Sequence, residues 1–127
     1  MAATKLNTGV SVAIIAASAT AGNAPTSGTD GWMLTQRGPG GRVRTLIDYT
    51  DAVTAAVIRL YTREPGGTAW FRGVSTNESG YPLTPANGDE SRDWDVGEGV
   101  EFTFVLESIS PSGSTPTVAV KAVGVNR

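Results

Sequence analysis

Residues 99–109 read Gly-Val-Glu-Phe-Thr-Phe-Val-Leu-Glu-Ser-Ile. Val100, Phe102, Phe104 and Leu106 fall on one parity, and Glu101, Thr103 and Glu107 on the other. Side chains of a strand alternate between its two faces, so this segment carries one apolar face and one mostly polar face. Two of the chain's three Phe residues lie on the apolar side. The pattern predicts a central strand of a packed sheet with Phe104 in the core, and the other elements must supply its facing layer.

The rest of the chain divides into short strands and Gly/Pro turns. Residues 10–17 form an apolar run in which Val10, Val12 and Ile14 share a parity. With Lys5 ahead of it and small-residue triplets after it, the run imitates a signal peptide, but its single charge and its scarcity of Leu favour a strand. It is too short to span a bilayer as a helix. Residues 1–22 are expected to form an N-terminal arm or edge strand, and 23–127 a single β-sandwich domain. Residues 32–36 and 42–49 read as a hairpin around Gly38-Pro39-Gly40-Gly41. Residues 52–62 fit a helical stripe or a strand; Val57, Ile58 and Tyr61 favour the strand, returning through Glu64-Pro65-Gly66-Gly67 into residues 68–74. Residues 75–99 have no strong period and read as a long loop at a surface or interface. A Ser/Pro/Gly-rich turn at 110–116 leads to a last strand over 117–125. Seven or eight short strands separated by regular Gly/Pro turns predict an all-β fold, an antiparallel β-sandwich of jelly-roll or immunoglobulin-like topology.

A chain of 127 residues can bury a core without staples. It has no Cys and no His. Disulfides, thiolate chemistry, a Ser-His-Asp triad and a His-ligated zinc site are therefore excluded. Net charge is −2, but unevenly spread: seven basic residues stand against four acidic ones up to Arg72, and three against eight thereafter. The two halves are either solvated faces or complementary patches that meet between copies.

The sites suggested by residue type are surfaces. The basic turn carrying Arg37, Arg42 and Arg44 does not match a phosphate-binding loop, and the net charge argues against nucleic acid as the main partner. The acidic run with Asp89, Asp93 and Asp95 offers oxygen ligands of the kind calcium takes, but lacks the spacing of an EF-hand and reads as solvated loop. Trp32 and Trp70 belong by pattern to strands and should be buried. Trp94 and Tyr81, in the long loop, are the better candidates for contact with a partner, a sugar face included. No carboxylate pair is held at a separation that glycoside hydrolysis needs, and no catalytic, cofactor or metal residue is assigned. The interface candidates are Val10, Val12, Ile14, Arg37, Arg42, Arg44, Tyr81, Asp89, Asp93, Trp94 and Asp95.

The run Ala55-Ala-Val-Ile-Arg-Leu-Tyr61, the turn at Pro65-Gly66-Gly67 and the strand with Trp70 resemble the small all-β accessory proteins of tailed bacteriophage virions. The likeness is one of style across most of the chain, without a diagnostic motif. It implies a non-enzymatic capsid decoration, or cement, protein that self-associates, often as a trimer. Such a protein binds the major capsid protein or other virion proteins, with no nucleic acid, membrane or cofactor, in a virion assembled in the host cytoplasm. Tail and head-completion proteins look similar at this level. A carbohydrate-binding module is the alternative from another class.

Overall fold

The computed structural model of the chain describes residues 4–6, 11–18, 22–34, 42–49, 53–73, 81–82, 89–96, 100–110 and 117–125. They hold ten strands: β1 (Thr4–Leu6), β2 (Ser11–Ser18), β3 (Trp32–Leu34), β4 (Arg42–Tyr49), β5 (Ala55–Arg63), β6 (Phe71–Arg72), β7 (Tyr81–Pro82), β8 (Glu90–Asp95), β9 (Glu101–Ser110) and β10 (Val118–Val125). The eight strands of three residues or more meet the expected count; β6 and β7 have two each. Sheet A runs β1-β3-β9-β5-β6, with β7 also on β5, and sheet B runs β2-β10-β4-β8. All described pairings are antiparallel except β1 with β3. The fold is an antiparallel β-sandwich, as the alternation predicts.

The core lies between the sheets. Sheet A contributes Ile58, Leu60, Phe102, Phe104 and Leu106; sheet B contributes Val43, Ile47, Trp94, Val118 and Val120. The Trp94 and Phe104 rings meet edge-on across the layers, centroids 5.0 Å apart, and Phe102 meets Phe104 at 5.9 Å. A buried indole needs an acceptor for its N–H. Trp94 Nε1 donates to Thr45 Oγ1 at 2.9 Å, and that hydroxyl donates to the Arg92 carbonyl at 3.2 Å, so Thr45 is fully buried without an orphaned polar atom.

Two departures from simple alternation shape the sandwich. In β9 the register shifts between Val57 and Ile58, which pair with Ser108 and Leu106 and leave Glu107 as the extra residue. This bulge changes parity, and Ile109, on the polar parity of the sequence, turns into the core beside Leu106. In β2 two shifts fall between Ala13 and Ser18, so Val12 pairs with Ala122 while Ile15, not Ile14, pairs with Val120. Bulges on an edge strand twist it away from regular pairing and blunt it as a template. Val12, Ile14 and Ile15 all pack against the core.

Three expectations are corrected. β3 and β4 are not a hairpin: β3 pairs with β1 and β9 in sheet A, whereas β4 lies between β10 and β8 in sheet B. The stretch 75–99 is not one loop, because β8 pairs with β4 over six residues. Its alternation was invisible because both parities are polar, and among its side chains Trp94 is the large apolar one in the core. Trp32 and Trp70 are half-buried rather than buried. The hairpin from β5 to β6 is present, through a turn in which Gly67 N–H donates to Glu64 O at 2.8 Å and Gly66 has φ of 74°. Proline at the second position and a glycine at positive φ at the third make a type II turn. Residues 4–6 and 11–18 contribute one strand to each sheet, β2 at the edge of sheet B.

Candidate functional site

Strand β5 places Arg59, Tyr61 and Arg63 on the face of sheet A turned away from the core, and β9 places Glu101, Thr103 and Glu107 beside them. Arg63 and Glu101 are register partners, and both side chains are 1% exposed. Arg63 donates from Nε and Nη2 to Glu101 Oε1 at 3.0 and 2.8 Å. The Gly66 N–H donates to Oε2 at 2.7 Å, so the turn geometry serves the carboxylate directly. The segment 22–31 covers the pair. Its Ser27 carbonyl accepts from Arg63 Nη1 at 3.4 Å, and its Thr26 carbonyl accepts from Trp70 Nε1 at 2.9 Å. The indole in turn lies 4.2 Å from the Arg63 guanidinium. Gly31 lets this segment pack closely, because a Cβ there would lie about 3.0 Å from both Glu101 Oε1 and the Trp70 ring and one of them would have to give way.

Burial pushes the Glu101 carboxyl upward, but the Arg63 hydrogen bonds, the Gly66 N–H and the Arg63 charge outweigh it, and the group titrates below the ordinary glutamate range. At the rim, Arg59 donates to Glu107 from Nε at 2.5 Å and Nη2 at 3.1 Å, and from Nη1 to the Gly73 carbonyl at 2.7 Å. The Arg59 hydrogen bond is the main reason the Glu107 carboxyl is also lowered; burial opposes it, and the charges of Arg59 and Arg72 assist.

The basic and acidic segments meet inside one chain on sheet B. Arg44 and Asp93 are register partners and form a two-point ion pair, Nε to Oδ1 at 2.7 Å and Nη2 to Oδ2 at 3.2 Å. The hydrogen bond from Arg44 lowers the Asp93 carboxyl below its usual range, against a smaller effect of burial. Arg42 stands opposite Asp95 in the same ladder. Where the two charged segments are complementary, as Arg44 and Asp93 are, they meet within the chain rather than between copies, because β8 pairs with β4. Asp89 Oδ1 accepts the Tyr49 N–H at 3.1 Å, and the Tyr49 hydroxyl donates to Glu90 at 2.5 Å. The strand sends Glu90 to one face and Asp93 to the other, so the acidic run does not converge on one point, and the described residues hold no cluster of three metal-ligating groups.

Of the remaining interface candidates, Trp94 is fully buried and is no partner contact, because β8 turns it inward onto Phe104. The aromatic pair proposed for a sugar face is therefore not presented. Tyr81 is in β7, its backbone paired with Ile58. Val12 and Ile14 are half-buried against the core. Val10 and Arg37 lie outside the described residues. Phe71, 61% exposed on the edge strand β6, is a surface feature the sequence reading passed over. It borders an open hollow of about 280 Å³ with Glu64, Gly67, Thr68 and Ala69, slightly below the ~300–1,000 Å³ of ligand sites. The Arg63–Glu101 and Arg59–Glu107 pairs were also passed over. Their signal was present as charges recurring on the outward parity of two adjacent strands, basic on one and acidic on the other. Comparison of the chain with protein-family models, with curated proteins and with solved structures finds no match.

Proposed function

We propose that the chain is a non-enzymatic structural protein of a virion, decorating or stabilising a capsid by adhesion to neighbouring subunits. The observation that carries this reading is where the perturbed electrostatics lies. Each described carboxylate whose titration is shifted, Asp93, Glu101 or Glu107, is shifted downward by an arginine that braces the fold. A general acid at neutral pH needs the opposite shift. The Arg59–Glu107 and Arg63–Glu101 pairs tie β5 to β9, and Arg63 also holds the 22–31 segment through the Ser27 carbonyl. What the fold offers outward suits contact with protein: the outer face of sheet B with Leu46 exposed on it, and Phe71 exposed on the edge strand β6.

The test mixes the purified protein with expanded capsid shells of the parent virion stripped of accessory proteins, and separately with its tail tubes. Cosedimentation with shells, saturating at a copy number set by the shell lattice, is expected. Binding to tail tubes alone would move the protein to the tail, and binding to neither would overturn the proposal.

A further inference from the structure

The outer face of sheet B is exposed along all four strands, at Ala13, Lys121, Leu46 and Ser91 among others. Its centre is the rung Ala13–Lys121–Leu46–Ser91. Val123 and Arg44 flank it on one side, Ala119 and Asp48 on the other. Leu46 is 38% exposed. Lys121 and Asp48 are both exposed and make no ion pair among the described residues. The Arg44 charge is already neutralised by Asp93. The central rung therefore sets Ala13 and Leu46 beside Lys121 and Ser91, and leaves Lys121 and Asp48 without an ion pair among the described residues.

We propose that this face docks a second copy of the chain, sheet on sheet, about a two-fold axis that runs along the strands between β10 and β4. Rotation about that axis lays β10 of one copy over β4 of the other at the same rung. Lys121 then crosses Leu46 of the partner subunit, its methylene stem covering the exposed leucine. One rung further, about 7 Å along the strand, its ammonium meets Asp48 of the partner subunit. The contact is reciprocal, so both unpaired ions of each copy are paired. The same rotation sets Arg44 over valine, Asp93 over serine and Asp48 over alanine, with no like charges facing. A two-fold axis in the same plane but across the strands at the Leu46 rung would instead stack Lys121 on itself. Four strands spaced ~4.8 Å apart and about eight residues long give a face of roughly 500 Å², below the ~800 Å² per partner of a standard interface. The association is accordingly weak in solution and gains from the crowding of many copies on one surface. This inference deepens the structural reading above by assigning the self-contact to a face.

The experiment is sedimentation equilibrium of the full chain across a concentration series, with thermal melting to show that each variant is folded. Reversible dimerisation is expected. Lys121→Glu and Asp48→Lys should each weaken it about tenfold or more, since each sets like charges together. The double variant carrying both changes should restore it, and Leu46→Arg should abolish it. Folded single variants that dimerise like the parent, or a double variant no better than the singles, would overturn the proposal, as would a parent that stays monomeric throughout. Shell binding is measured on the same samples. A monomeric parent that still decorates shells removes this contact and leaves the proposed function standing; dimers that ignore shells do the reverse.

Discussion

Glu101 is the residue on which the outer face of sheet A turns. Its carboxylate accepts two buried bonds from Arg63 and one part-buried bond from the Gly66 N–H. Replacing one member of a buried pair leaves the other charged and uncompensated, which costs about 3–5 kcal/mol, whereas replacing both by apolar side chains of similar volume is often near neutral. Glu101→Gln is therefore expected to lower the denaturant midpoint sharply, and Arg63→Met with Glu101→Leu to recover most of the loss. A double variant as unstable as the single one would show that the turn and the 22–31 segment need the charge itself. Phe104 tests the other face of the same strand. It is 3% exposed and touches both Trp94 and Phe102, so Phe104→Ala should cost about 3–5 kcal/mol in a urea titration.

Strand β2 shows how an element depends on its neighbours rather than on its own pattern. It pairs only with β10 among the described strands, with two register shifts, and lends Val12, Ile14 and Ile15 to the margin of the core. Deleting residues 1–22 removes β1 and β2 together, one strand from each sheet. It also strips β10 of a partner and takes Gly22 N–H from the Leu106 carbonyl. The truncated chain is expected to lose its cooperative thermal transition. A truncated chain that melts like the parent would mean that these strands are accessories to a core complete without them.

For the whole molecule, the shifted carboxylates set the response to acid. Asp93, Glu101 and Glu107 all titrate below their unfolded values, which lie near 3.9 for Asp and 4.3 for Glu. Such groups contribute stability that is fully present above the unfolded values and is lost as pH falls through the folded ones. Melting temperature should therefore hold steady from neutral pH down to about pH 5 and decline below about pH 4. A flat profile in acid would show that the ion pairs do not brace the fold. The all-β class was legible because the period of two in residues 99–106 and the Gly/Pro turns need only local geometry. The core side of Phe102, Phe104 and Leu106 followed from parity alone. By itself the sequence determined the strand pattern, the apolar side of the central strand and the chemistry that the lack of Cys and His rules out. Only the tertiary structure decided which strands pair, that Ile109 turns inward at a bulge, that Trp94 belongs to the core, and that Arg63 and Glu101 form a buried pair. Pairing and bulges depend on contacts between residues tens of positions apart, and a single chain's local pattern carries no term for them.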